Sequence, residues 1–345
     1  MPLPIEVPIE IHRLDPRDPD ALASWHATYE AAQLVGLDHP SPFALEEVRA
    51  QLLDDGPGED MAAFGGYDVE GRVVVTGLIE LPQMDNRQLA HVEVETQPGH
   101  RRRGYGSAML EHLTGIAVAD GRTTLVAEAS WRYEGAPDGA GEPNAEFLTA
   151  NGFTFSLGDV KRALDLPLDE ALLARLASSV APHHAAYTLR DFVGPVPDEL
   201  IDEFGALIGL LATEAPMGEL QFETEVFDAA RIRADERTFE ASGRTKYTTV
   251  AIAEDGAVVA YTDLVQTSHG PGNAYQWGTL VHPAHRGHRL GLAVKVRNLR
   301  RFQEERPGRR TLFTFNAEVN THMIAVNEAL GFRPVQRLGE FQKKL

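Results

Sequence analysis

The 345 residues, 43% hydrophobic and 24% charged, are enough for two globular domains and exclude a disordered or fibrous class. The chain has no cysteine, which excludes disulfides, thiolate zinc sites and a cysteine nucleophile, so any thioester chemistry has to use a borrowed thiol. A formal net charge of −19 excludes a general nucleic-acid binder; it suits a cationic or amine ligand, or serves solubility alone.

Apolar periodicity predicts a first helix over Ala21–Leu34 and strands over Met61–Tyr67, Arg72–Leu81 and Leu89–Thr96. A glycine-rich loop follows, then a helix over Tyr105–Ala119, a strand over Thr124–Ala129, a glycine- and proline-rich excursion over Arg132–Pro143, a short helix over Ala145–Ala150 and strands within Phe153–Leu166. The same order returns as helix Pro197–Ala212, strands Tyr247–Ala253, Ala257–Gln266 and Ala274–Val281, a second loop, helix Leu290–Glu304, strand Thr311–Asn316, helix Asn320–Leu330 and closing strands. This is a mixed α/β fold made twice. The expected division is a first domain over 1–168, an amphipathic helix and lead-in over 169–186, and a second domain over 187–345. No run reaches the roughly 18 apolar residues of a membrane span. MPLPIEVPIEIH lacks the basic-then-apolar order of a signal peptide, so a cytoplasmic protein without a membrane partner is expected.

Two markers recur at nearly the same interval. The loop PGHRRRGYGSAML has its basic run at Arg101 and returns as PAHRGHRLGLAVK at Arg286, and NGF at Asn151–Phe153 returns as LGF at Leu330–Phe332. A strand that ends in a basic glycine loop and continues into a helix aims backbone N–H groups and the positive helix end at one place, where an anion fits.

In VETQPGHRRRGYGSAML the spacing R-x-x-G-x-G resembles the pyrophosphate loop of the GNAT acyltransferase superfamily, and LVHPAHRGHRLGLAVK is similar. The second loop departs from the pattern: Arg289 stands where the first loop glycine is expected, with Gly287 and Gly291 around it. The resemblance implies two tandem GNAT folds, an architecture similar to mycothiol synthase-like and aminoglycoside-acetylating relatives. It implies acetyl-CoA, or another acyl-CoA, as co-substrate, and no metal. Its pyrophosphate would meet Arg101, Arg102, Arg103, Gly104, Tyr105, Gly106 and Ser107 in the first half, and Arg286, Gly287, His288, Arg289, Leu290, Gly291 and Leu292 in the second. Its pantetheine would bond to the backbone of Val94, Glu95 and Thr96, or of Thr279, Leu280 and Val281, with Asn316 and Asn320 beside it. Asn320 serves equally as a helix N-cap.

Amine acylation needs a base for the ammonium, a polarised carbonyl and a proton for the leaving thiolate. Family members often use a glutamate near the fourth strand and a tyrosine four residues before the GF glycine. Here Leu148 and Asn327 occupy the tyrosine place. Candidate bases are Glu93 and Glu95, which share one strand face by alternation, and Glu318 after the fifth strand of the second half. Trp131, Tyr133, Tyr275 and Trp277 are candidates to line acceptor clefts, or to pack. His282, His285 and His288 lie among arginines, which argues against a metal site. The expected activity is acyl transfer from acyl-CoA to a primary amine of a small molecule, with either one half or both catalytic. The alternatives are a non-catalytic coenzyme A binder and a protein N-terminal or lysine acetyltransferase.

Overall fold

Asp18 opens the first helix by accepting the N–H groups of Asp20 and Ala21 ahead of Pro19, the arrangement expected of an N-cap followed by proline. In the computed structural model, which describes residues 9–214, 222–269, 272–308 and 311–345, this helix belongs to the first of two compact units. That unit runs in order through β1 (Glu10–Arg13), α1 (Pro19–Gln33), α2 (Leu45–Leu52), β2 (Glu59–Tyr67), β3 (Val73–Pro82), β4 (Leu89–Thr96), α3 (Tyr105–Ala119), β5 (Thr124–Arg132) and α4 (Pro143–Ala150). The Trp25 indole N–H donates to the Phe64 carbonyl at 2.8 Å and fixes α1 on β2. On the other face α3 buries Met109 and Leu113 against Val75, Ile79 and Leu125.

The chain continues through β6 (Thr154–Asp165), α5 (Glu170–Val180), β7 (Thr188–Val193), α6 (Ile201–Ile208), α7 (Leu211–Glu214), α8 (Ala229–Ala241), β8 (Arg244–Ile252), β9 (Val258–Thr267), β10 (Asn273–Val281), α9 (Leu290–Glu305), β11 (Thr311–Ala317), α10 (Thr321–Leu330) and β12 (Arg333–Lys344). The helix read from sequence as a connector is α5. It is capped by Asp169, and its Leu173 is fully buried among Leu299, Phe302 and Leu330 in the core of the second unit.

The two units repeat one strand order, β1-β2-β3-β4-β5-β12 in the first and β7-β8-β9-β10-β11-β6 in the second. In each, every neighbouring pair is antiparallel except the parallel pair β4/β5 or β10/β11. The last strand of each unit comes from the other half of the sequence. Gln336–Lys344 of β12 pair with β5, and Asp159–Asp165 of β6 pair with β11. The units are therefore residues up to 158 with 336–345, and residues 159–335, rather than two contiguous halves.

Phe341 makes this exchange testable. It is buried in the first unit's core with Trp131 and Phe153, although it lies at the end of the chain. Phe341→Ala is expected to cost about 3–5 kcal/mol of first-unit stability. Denaturant unfolding followed through Trp25 and Trp131, with Trp277→Phe introduced to silence the second unit, measures it. An unchanged midpoint would refute the placement of β12.

Candidate active site

The parallel pairs at the centre of each unit are short. β4 and β5 are in register only over Leu89–His91 with Thr124–Val126, whereas the other edge of β4 stays paired with β3 as far as Thr96. β10 and β11 are in register over Asn273–Gln276 with Thr311–Thr314, and beyond that the strands part. Each wedge leaves a run of backbone N–H and C=O groups without a ladder partner: Val92–Thr96 in the first unit, and the stretch through Thr279, Leu280 and Val281 in the second. An extended chain bearing amides can satisfy those groups as an added strand would.

Each wedge ends in an arginine-glycine loop, and the two loops have the same backbone. A short 3-10 turn, Pro98–His100 or Pro283–His285, leads to an extended arginine, Arg101 (φ −63°, ψ 158°) or Arg286 (φ −68°, ψ 160°). Left-handed residues then follow at equivalent places, Arg102 (φ 64°) and Gly104 (φ 86°) in one loop, Gly287 (φ 89°) and Arg289 (φ 54°) in the other. Each loop has one glycine and one arginine in these positions, in opposite order. Arg289 thus takes the conformation that a glycine would take, at about 1–2 kcal/mol of backbone strain. Alternation of handedness turns successive N–H groups toward one point, a nest for an anion at the start of α3 or α9.

The seats differ in room. A Cβ on Gly106 would lie 3.1 Å from the Phe147 ring of α4 and 3.2 Å from Thr96 Oγ1, so that space is already filled. A Cβ on Gly291 would meet only Val281, at 3.7 Å. Arg286 is paired with Glu214 at 2.7 Å, and Arg101 donates to the carbonyls of Thr96 and Ala32. The histidines have local roles: His282 Nδ1 accepts the Ala284 N–H, His285 contacts the Tyr187 hydroxyl, and His288 lies 3.3 Å from the His183 carbonyl. No group of three metal-ligating side chains occurs among the described residues.

Of the predicted bases, Glu93 and Glu95 are brought together by Gln33 of α1, whose Nε2 donates to both carboxylates at 2.7 and 2.9 Å. Burial pushes Glu93 up to about 7; burial and the Glu93 charge push Glu95 up to about 8, against the pull of Arg101. Folded values above the unfolded one mean a stability contribution that is complete below about pH 4.5 and lost as pH rises through 7 to 8. Glu95→Gln is therefore expected to raise the first unit's melting temperature at pH 8.5 by about 2–4 °C, worth ~1 kcal/mol, and to change it little at pH 5. Thermal melts at the two pH values check this; an equal shift at both would remove the titration from the account.

Glu318 lies in the turn between β11 and α10, where its charge bears on Asp159 of β6. Asn320 Oδ1 caps α10 by accepting the Met323 N–H at 3.1 Å. Asn327, in the usual tyrosine place, is fully buried, accepts from Lys295 Nζ at 2.8 Å and donates to Asn316 Oδ1. Trp131 is a packing residue, buried with its indole N–H on the Ala136 carbonyl at 2.9 Å. Trp277 is 41% exposed.

Sequence reasoning missed Asp263. The ladder between β9 and β10 slips between Gln276 and Thr279, leaving Trp277 and Gly278 as a bulge opposite Asp263, at the point where β10 leaves β11. Asp263 is buried and accepts from Thr248 Oγ1 at 2.6 Å. Burial raises its carboxyl above the ordinary range, and the Lys246 charge and the Thr248 bond oppose that rise. On the same face the Tyr261 hydroxyl lies where a Gly278 side chain would be, and burial raises its pKa well above 10. The signal available in the sequence was a lone carboxylate inside the otherwise uncharged strand VVAYTDLVQT.

Residues 215–332 match the acetyltransferase (GNAT) family. No curated protein matches the sequence. Among solved structures the chain is similar to a tandem GNAT protein from the clavulanic acid biosynthesis pathway, 28% identical over 97% of this chain and 98% of that one, with a TM-score of 0.77. It is also similar in fold to a GCN5-related N-acetyltransferase from Sphaerobacter thermophilus, 16% identical over 97% and 95%, with a TM-score of 0.62. The family match falls in the second half, and the first half repeats its strand order, its wedge and its loop, so the chain carries two GNAT-like folds in tandem.

Proposed function

We propose that the second unit transfers the acyl group of acetyl-CoA, or another acyl-CoA, to a primary amine of a small molecule. The observation that carries this reading is Asp263, a buried carboxylate opposite the one bulge among the described residues that coincides with an opening wedge. Acyl-CoA supplies the acyl group as a thioester. The left-handed residues Gly287 and Arg289 and the start of α9 would hold its pyrophosphate, and the unpaired edge at Thr279, Leu280 and Val281 its amide-bearing arm. Asp263 would take the proton of the incoming ammonium, and Thr248 and Lys246 favour its ionised form. A backbone N–H released from the ladder by the bulge can polarise a carbonyl. Tyr261, kept protonated by burial, is a proton donor at the bulge although Asn327 stands in the customary tyrosine place.

Phe147 and Thr96 at Gly106 argue against turnover in the first unit. Lys246 and Arg244 lie over the Phe239 ring, 5.3 and 5.8 Å from its centroid, on the face shared by Asp263, so amines that also carry a carboxylate head the list of acceptors to try. The test is release of free coenzyme A from acetyl-CoA in the presence of an amine panel, with mass spectrometry of the products. An acetylated small amine supports the reading. Acetylated protein in its place makes the acceptor a protein, and binding without turnover leaves a coenzyme A-binding protein. Among the described residues no helix is long and apolar enough to cross a membrane.

A further inference from the structure

Lys295 has nowhere to reach water: it sits on α9 with 1% of its surface exposed, and burial lowers the pKa of its ammonium to about 7. Its partner Asn327 on α10 is fully buried, and Asn327 in turn meets Asn316 of β11, two residues past the last pairing with β10 and so within the opened part of the wedge. Below about pH 7, where Lys295 is protonated, the chemistry of the first member fixes the direction of the whole chain. A lysine ammonium only donates. Asn327 must therefore turn Oδ1 to Lys295, which leaves Nδ2 to donate to Asn316, and Asn316 must spend Oδ1 on accepting it. What remains of Asn316 is its Nδ2, a donor that meets no other group among the described residues and is half-exposed. An asparagine without this constraint can offer either end of its amide; this one can offer only N–H.

We infer that Lys295 is a positioning residue, which through Asn327 locks the Asn316 amide with its Nδ2 facing the wedge, so that the group bound there is a carbonyl oxygen of an acyl-pantetheine arm. The inference rests on the reading that this wedge takes acyl-CoA, and it assigns the direction of one hydrogen bond within it. No sequence pattern marks Lys295, which is separated from Asn316 and Asn327 by a loop and a strand.

Asn327→Asp isolates the direction from the packing. Aspartate keeps the volume and can form an ion pair with Lys295, but it only accepts, so Asn316 has to reverse and present Oδ1 to the wedge. Calorimetric binding by the full chain is expected to show acetyl-CoA weakened by about 10-fold or more in Asn327→Asp, which is the cost of exchanging a hydrogen bond for two facing acceptors. Melting temperature should stay within a few degrees of the unaltered protein. On an Asn316→Ala background the same Asn327→Asp change is expected to have no further effect on affinity, a coupling that a packing role does not produce. Loss confined to acetyl-CoA places the donor on the thioester carbonyl, and equal loss with free coenzyme A places it on the pantetheine; either upholds the lock. Lys295→Met, which removes the donor and shortens the side chain by one atom, should weaken binding in the same direction and serves if Asn327→Asp does not fold. Unchanged affinity in a folded Asn327→Asp, or an equal loss on the Asn316→Ala background, overturns the lock while leaving the acyl-CoA reading standing. Absence of acetyl-CoA binding by the unaltered protein overturns that reading and the lock with it.

Discussion

Gly291→Trp is expected to abolish acetyl-CoA binding by the second unit, weakening it at least ~100-fold, and to leave the fold intact. An added Cβ at the buried Gly291 would meet only Val281 Cγ2, at 3.7 Å. Gly291 is the second residue of α9, so a tryptophan there costs the helix nothing in propensity. Its indole would occupy the place toward which the loop N–H groups turn. Charge-assisted hydrogen bonds to a phosphate contribute about 1.5–3 kcal/mol each, and excluding two of them accounts for the predicted loss. Calorimetry beside a circular-dichroism melt separates the outcomes: undiminished binding removes the loop from the site. The matching change in the first unit does not report on cofactor in the same way. Gly106→Trp would drive into Phe147 and Thr96 and is expected to lower stability before any ligand is considered.

Asp263→Asn should reduce kcat about 10²- to 10⁴-fold, the usual contribution of a positioned general base. Acetyl-CoA affinity should be unchanged, since the cofactor contacts proposed above lie on β10, α9, their loop and Asn316 of β11. The pH profile distinguishes a base from a structural carboxylate. Burial raises the Asp263 pKa, so the rate of the unaltered enzyme should climb as pH rises through that raised value, and the climb should vanish in the asparagine variant. Stability moves the opposite way. A raised folded pKa means stability present below the unfolded value and lost as pH rises through the folded one, so Asp263→Asn should be the more stable protein at alkaline pH. A variant with full kcat and an unaltered profile would leave Asp263 a packing residue held by Thr248.

Helices and strands were largely legible in the sequence because their burial periodicity is local. The apolar pattern of Tyr105–Ala119 gives α3 with the same bounds, and Leu290–Glu304 gives α9 to within one residue. The loops were legible too, since a left-handed backbone is written in glycine. The exception was informative: Arg289 looked like a defect in the second loop, and it takes the left-handed cap all the same, with Gly287 matching Arg102. Among the candidate bases, alternation rightly put Glu93 and Glu95 on one face, but the donor they share, Gln33, comes from a helix 60 residues before Glu93. Asp263 was passed over because its meaning depends on a bulge in the neighbouring strand, which is a property of register and not of any one segment.

By itself, then, the sequence determined the repeated order of elements and the two arginine-glycine loops, which depend on contacts within a few residues. Only the tertiary structure decided which strand closes each sheet, because β6 and β12 follow equivalent NGF and LGF turns and nothing local distinguishes the β5 edge from the β11 edge as a partner. It decided likewise that Phe147 packs against Gly106 while Gly291 has only Val281 within reach of an added Cβ, and that Asp263 lies opposite the bulge and Lys295 meets Asn327. Each of these is a meeting of side chains from separate elements, whose energy appears only when packing brings them within a few ångströms.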